Sequence, residues 1–243
     1  MKGIVLGGGL GSRLRPYLSS KINKHLVPVH DRPLIHHVIG RLADAGVDEI
    51  LLCFNGPNPG LLLESIGTGS SLGVHIYFRY DDQVVERGPA THILDAEHWI
   101  DNEPFILILG DSMYLRPLVI PAIVPNTAYL WATEITQEWD DYRKYAQIEV
   151  ENDLVTRLER TESKFFSPII QTGAWIFPQN VFDKTRKLFD KRREGQEVRL
   201  THVAQSYLRE QSLRAIKLEP ESFIDCGTPE AISKVTAKLA EAW

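Results

Sequence analysis

The chain has 243 residues, 43% of them hydrophobic and 24% charged, with a formal net charge of −5. A chain of that length buries roughly 70–75% of its unfolded surface in one large domain, and the negative balance excludes a diffuse basic surface for nucleic acid or anionic membrane. No apolar run approaches a membrane span, glycine breaks the N-terminal apolar run after Leu6 so that no secretory signal is read, and two cysteines, Cys53 and Cys226, make no disulfide framework and suit a reducing cytoplasm.

Strand and helix patterns alternate through the first half. Apolar runs predict strands at Lys2–Leu6, Glu49–Phe54, Val74–Phe78 and Phe105–Leu109, with helical periodicity at Leu34–Ala45, Pro59–Ile66 and Pro89–Trp99 between them. That βαβ rhythm predicts an α/β, Rossmann-like three-layer sandwich with a mainly parallel mixed sheet, whose ligand edge lies beyond the carboxyl ends of the strands. Leu6 and Leu109 should therefore end side by side. After Pro117 the rhythm changes, and strands are expected at Ala128–Glu134, Tyr145–Val150, Leu154–Leu158 and Thr172–Phe177, with a hairpin turn at Glu151-Asn152-Asp153. Helices follow at Pro178–Arg192 and Leu200–Glu210, a strand near Leu213–Leu218 and a last helix at Pro229–Glu241. Residues 1–243 read as one domain, with a first half to residue 115 and a second from 116.

The stretch Ile4-Val5-Leu6-Gly7-Gly8-Gly9-Leu10-Gly11-Ser12-Arg13-Leu14-Arg15-Pro16 carries the most chemistry. A buried strand opens onto a loop whose amides meet a ligand without side-chain obstruction, and arginines just beyond suit phosphate oxygens. Spacing excludes two common readings. Ser12 stands where G-x-G-x-x-G needs its third glycine, and no G-K-[ST] follows.

With Lys24-His25-Leu26-Val27-Pro28-Val29 downstream, this segment resembles the signature of the sugar nucleotidyltransferases, the nucleotide-sugar pyrophosphorylases: L-x-G-G-x-G-[TS]-R-L-x-P, then K-x-L-x-P-V. Weaker echoes continue to Thr228-Pro229-Glu230, and the pattern is nearest to the glucose-1-phosphate thymidylyl- and uridylyltransferases. The gap before Lys24 is one residue longer than the family spacing, which makes Lys21 a rival; the Leu26 and Pro28 context favours Lys24. The resemblance implies that Leu6, Gly8, Gly9, Gly11, Ser12 and Arg13 hold the nucleotide, with Arg13 on the β and γ phosphates and Lys24 on the reacting α phosphate. It also implies that Asp111, in Leu109-Gly110-Asp111-Ser112, and Asp225, in Phe223-Ile224-Asp225-Cys226-Gly227-Thr228, hold Mg²⁺. Taken alone, the first is a common loop-capping aspartate and the second a turn residue. Two carboxylates with substrate phosphates are nonetheless an ordinary magnesium shell.

Gln83, five positions before Gly88, matches the family's base-reading glutamine, whose carboxamide pairs with a pyrimidine imide. The backbone near Gly88 can do the same at a helix N-terminus, which makes Gly88 a second nucleotide-binding candidate. On the acceptor side the resemblance points to Tyr145, Glu159, Arg160, Thr172 and Gly173, with departures: Tyr-Ala for Tyr-Gly, Glu-Arg-Thr for Glu-Lys-Pro, and Ser112 for an asparagine. Arg160 keeps the charge of the usual lysine and changes its geometry. Adjacent His36 and His37 cannot face one way on a helix and make no shared metal site. The expected activity is Mg-dependent transfer of a nucleotidyl group from dTTP or UTP to a sugar 1-phosphate, with a homo-oligomer left open. The alternatives are a cytidylyltransferase for a non-sugar alcohol phosphate and a non-catalytic nucleotide-sugar-binding regulator.

Overall fold

The computed structural model describes residues 1–9, 11–14, 18–19, 21–81, 87–135, 142–161 and 164–241. In chain order the strands and helices are β1 Lys2–Gly7, β2 Pro28–Val29, β3 Arg32–Pro33, α1 Leu34–Asp44, β4 Glu49–Phe54, α2 Pro59–Ile66, β5 His75–Tyr80, α3 Thr91–Asp95, α4 Glu97–Ile100, β6 Phe105–Leu109, β7 Ser112–Tyr114, β8 Ala128–Glu134, β9 Gln147–Glu151, β10 Leu154–Glu159, β11 Ile169–Phe177, α5 Val181–Lys191, α6 Leu200–Arg209, β12 Leu213–Lys217, β13 Phe223–Asp225 and α7 Pro229–Glu241. The α/β class with a mixed sheet is the one expected. Among the described residues no helix is long and apolar enough to cross a membrane. The chain divides into two compact units, Met1–Asp82 with Ile108–Val119 and Phe223–Trp243, and Gln83–Leu107 with Ile120–Ser222.

In the first unit β1 pairs in parallel with β4, and β4 with β5, the register running from Lys2 opposite Glu49 to Gly7 opposite Phe54. Ile4, Val5, Leu6, Ile50, Leu52 and Cys53 are buried, the continuous apolar run expected of a strand covered on both faces. The Gly110 N–H donates to the Leu6 carbonyl at 2.9 Å, so the ends of β1 and β6 do lie side by side. Helix α1 buries Leu34, Ile35, Val38, Ile39 and Leu42, a stripe of helical period in which each fully buried side chain contributes about 1.5–3 kcal/mol. It stops where the Ala45 N–H turns back to Arg41 and Leu42 and Gly46 takes φ +82°, a left-handed position that favours glycine.

Two strands too short for any periodicity, β7 and β13, form an antiparallel ribbon with Asp225 opposite Ser112 and Phe223 opposite Tyr114. Met113, Ile224 and Cys226 lock it to Val29, Leu34 and the α7 residue Val235 in one buried cluster. That packing holds a residue from each end of the sequence at one place. Thr228 caps α7, its hydroxyl accepting the Ala231 N–H at 3.3 Å.

The second unit mixes strand directions. β8 pairs antiparallel with β11 and parallel with β12, while β10 pairs antiparallel with β9 and β12. Asn152 takes φ +59° in the expected hairpin turn between β9 and β10. The single helix read over Pro89–Trp99 is two short ones jointed at Ala96, whose N–H is shared by the His92 and Ile93 carbonyls. Strand β11 starts earlier than its apolar run suggested and carries a register shift between Gln171 and Trp175, with Gly173 at φ +86°. This is a β-bulge, the device that re-aims side chains within a ladder.

Candidate active site

In the first unit, β1 ends at Gly7 and the chain turns through Gly9 at φ +104° and Gly11 at φ +59°, backbone that a side chain would strain. A second constraint acts there. A methyl group on Gly9 would stand 3.4 Å from Lys24 Nζ, and one on Gly11 would stand 3.1 Å from Lys24 Cβ. The Lys24 side chain therefore runs across both glycines. The loop closes in one turn at Ser12–Leu14, where the Leu14 N–H donates to Gly11 at 2.9 Å and Leu14 is buried while Ser12 and Arg13 stay exposed.

Lys24 opens the short turn Lys24–Leu26, which Asn23 caps by accepting the His25 N–H at 3.0 Å. Its ammonium forms a charge-assisted hydrogen bond to Asp111. The rival Lys21 is exposed, its carbonyl accepting Asn58 Nδ2 at 2.7 Å. On the ribbon, Asp225 stands opposite Ser112, and the Cys226 N–H donates to the Asp111 carbonyl at 2.9 Å. Arg13 Nη2 lies 3.8 Å from Asp225 Oδ2, and the Gly227 N–H donates to Asp225 Oδ1 at 3.0 Å. A methyl group on Gly227 would stand 2.9 Å from Arg13 Cζ, so the arginine head lies directly over this glycine. Arg13, Lys24, Asp111 and Asp225 thus form one cluster beside the glycine loop.

The two carboxyl groups differ electrostatically. Burial pushes Asp111 up, but the Lys24 ammonium and His25 outweigh it and leave the group below the usual carboxylate range. Asp225 is pushed up, first by burial and then by the Asp111 charge, and Arg13 and Lys24 offset only part of that. A second carboxylate held against its own charge is the environment that a divalent cation relieves, and hard oxygen donors are what Mg²⁺ takes. The residues present fit that ion.

The remaining expected residues belong to the second unit, apart from Gln83, which lies outside the described residues. Gly88, at φ +85°, is pressed against the chain at Val198, where a methyl group would stand 2.7 Å from the carbonyl oxygen. Its own carbonyl accepts the Thr91 N–H at 3.2 Å at the start of α3. Tyr145 precedes β9 instead of starting it, its N–H turned back to Tyr142 at 3.1 Å. Glu159 ends β10, where Arg157 holds it at 3.1 Å and keeps its carboxyl below the ordinary range; Arg160 follows, exposed. Thr172 is buried in the bulge beside Gly173 and donates its hydroxyl proton to the Trp131 carbonyl at 2.9 Å.

Residues 2–242 match the family model described as Nucleotidyl transferase. The chain belongs to that family. A glucose-1-phosphate thymidylyltransferase from Actinoplanes sp. (strain ATCC 31044 / CBS 674.73 / SE50/110) is 28% identical over 238 residues, spanning 93% of this chain and 76% of that protein. Among solved structures, a Bacillus anthracis protein provisionally assigned as a glucose-1-phosphate thymidylyltransferase, in complex with a sucrose, superposes with a TM-score of 0.83 at 24% identity, covering 98% of this chain and 94% of that one. The inositol-1-phosphate CTP transferase from T. maritima gives 0.79 at 17% identity, with 99% and 96% covered. At those identities the two structures speak for the fold.

Three residues of this nucleotidyltransferase escaped the sequence reading. Asn23 and Asn55 are buried beside the glycine loop, and His25 is buried against Gly110, whose Cα could carry no methyl group because it would stand 2.9 Å from His25 Cδ2. An asparagine directly before a short helical turn is a capping signal, and Asn55 directly follows an apolar strand at its carboxyl edge, so both positions were open to reading. His25 Nδ1 lies 2.8 Å from Asn23 Oδ1, an acceptor, so the ring carries its proton on Nδ1. Nε2 has no hydrogen-bond partner among the described residues.

Burial, then the Lys24 ammonium, lowers His25 from 6.5 to about 3 against the opposing charge of Asp111. The folded protein therefore refuses a proton that the unfolded chain accepts. His25 contributes stability that is complete above about pH 6.5 and is lost as pH falls toward 3. The expected slope is up to about 1.4 kcal/mol per pH unit. Urea midpoints in chelator between pH 7 and 4.5 should fall more steeply in wild type than in His25→Gln, and parallel curves would contradict this assignment.

Proposed function

We propose that this chain catalyses transfer of a nucleotidyl group from a nucleoside triphosphate to a sugar 1-phosphate, with Mg²⁺ as cofactor, dTTP or UTP as donor and glucose 1-phosphate as the default acceptor. The observation that carries the reading is the lysine that crosses the glycine loop to meet Asp111, with Arg13 and Asp225 beside it. A triphosphate meeting a phosphate monoester brings like charges together, and two cations set beside an open glycine turn offset that repulsion. The first half of the chain supplies most of this nucleotide side, Asp225 joins it from the second half, and the rest of the second half supplies the acceptor side.

An acceptor phosphate oxygen attacks the α phosphorus in line. The new phosphorus–oxygen bond forms as the bond to the bridging oxygen breaks, and pyrophosphate departs with that electron pair. Arg13, half exposed at the loop turn, grips the leaving phosphates. Lys24 stabilises the charge that builds at the α phosphate, so it must exchange its Asp111 partner for phosphate oxygen as substrate arrives. Asp111 and Asp225 would hold the magnesium, which supplies charge neutralisation between phosphates. Catalysis is then positioning and charge stabilisation.

The test crosses dTTP, UTP, CTP and ATP with glucose 1-phosphate, other sugar 1-phosphates and inositol 1-phosphate, reading pyrophosphate release and product mass. Release confined to thymidine or uridine nucleotides with a sugar 1-phosphate is expected. Turnover of CTP with a non-sugar alcohol phosphate would overturn the donor and acceptor assignment. Tight nucleotide-sugar binding with no release under any pairing would make the chain a binding protein.

A further inference from the structure

The hydrogen bonds beneath the glycine loop converge on a residue outside the charged cluster. Asn55 is buried directly after β4, one step past the Gly7–Phe54 rung. Its two oxygens serve different segments. Oδ1 accepts the Gly9 N–H at 2.9 Å, and the main-chain carbonyl accepts Asn23 Nδ2 at 3.1 Å. Asn23 in turn caps the Lys24 turn through its own Oδ1. A methyl group on Gly8 would stand 3.0 Å from Asn55 Oδ1, so the loop lies directly on this carboxamide.

We infer that Asn55 is a positioning residue for the transfer reaction: it ties the glycine loop to the Lys24 turn and so fixes where the lysine ammonium meets the α phosphate. The inference rests on the transfer reading above. Its chemistry follows from the residue type. A carboxamide offers Gly9 an acceptor without adding negative charge beside a triphosphate, which aspartate would add. Gly9 itself is exposed, so in a truncated variant water replaces the lost bond and the fold survives. What is lost is registry between two short segments, and a displacement of about 1 Å at a reacting centre costs up to about 100-fold in rate.

The experiment compares Asn55→Ala, Asn55→Asp and Asn23→Asp with wild type in pyrophosphate release, melting temperature and amide hydrogen exchange over residues 6–14. Asn55→Ala should lower kcat about 10- to 100-fold with substrate KM values within about threefold, keep its melting temperature, and speed Gly9 exchange. Asn55→Asp, which retains the acceptor, should recover kcat to within about threefold of wild type while raising the nucleotide KM by added charge. Asn23→Asp keeps the cap, loses the donor to Asn55 and should share the Asn55→Ala defect in kcat. An Asn55→Ala kcat within about twofold of wild type would overturn the inference, as would an Asn55→Asp variant no better than Asn55→Ala. If Asn55→Ala fails to fold, Asn23→Asp decides alone: normal kcat overturns the tie. Absence of release from wild type would instead sink the transfer reading, and loop exchange unchanged in both Asn55→Ala and Asn23→Asp would then sink the tie on its own.

Discussion

Lys24→Ala is expected to release pyrophosphate about 100- to 1000-fold more slowly than wild type, the usual cost of removing one positioned charge-stabilising donor. The loss should fall on kcat more than on nucleotide KM, because Arg13 and the loop amides still bind triphosphate while the charge that builds in the transition state goes unmatched. Removing the ammonium also leaves Asp111 without its charge-assisted partner. A buried carboxylate stripped of its cation is costly, so the variant should melt lower in chelator and recover part of that deficit when Mg²⁺ and nucleotide are added. Lys24→Arg keeps the charge, but its planar fork cannot follow the stem that threads over Gly9 and Gly11, and it should recover little turnover. Single-turnover kinetics on folded Lys24→Ala checks the assignment; near-normal turnover would remove the lysine from the chemistry.

Asp225→Asn separates function from stability in the opposite way. The Asp225 carboxyl carries its charge against burial and against Asp111, with Arg13 at 3.8 Å too distant to offset both. An asparagine relieves that repulsion and still offers an oxygen to the Gly227 N–H. Without metal the variant should therefore melt at the wild-type temperature or slightly above it. Its turnover should nonetheless fall by at least about tenfold, with the Mg²⁺ concentration for half-maximal rate raised by a similar factor, since one of the two anionic ligands is gone. A lowered melting temperature with an unshifted magnesium titration would assign Asp225 a structural role in the ribbon.

Much of the fold was legible because its central strands are continuous apolar runs closed by glycine or polar residues. Glu49–Phe54 and Phe105–Leu109 fall where the runs do. The ribbon was not legible, since Ser112–Tyr114 and Phe223–Asp225 are each too short to show a period of two. Its pairing is what sets Asp225 opposite Ser112, beside Asp111, a relation that the motifs implied but no local pattern contained. Lys24 and Lys21 could not be separated by spacing alone; in the fold the Lys24 stem lies against Gly9 and Gly11, whereas Lys21 is exposed. Glu159 shows the opposite limit. Arg157 sits two residues earlier on the same face of β10, a neighbour that strand periodicity predicts, and it engages the carboxylate that the resemblance puts on the acceptor side.

The most direct test of the central claim is calorimetric titration of dTTP and UTP into wild-type protein with and without Mg²⁺. The account predicts binding that is strengthened at least about tenfold by the metal and that loses this dependence in Asp225→Asn. Equal affinity with and without magnesium, or no nucleotide binding at all, would contradict it.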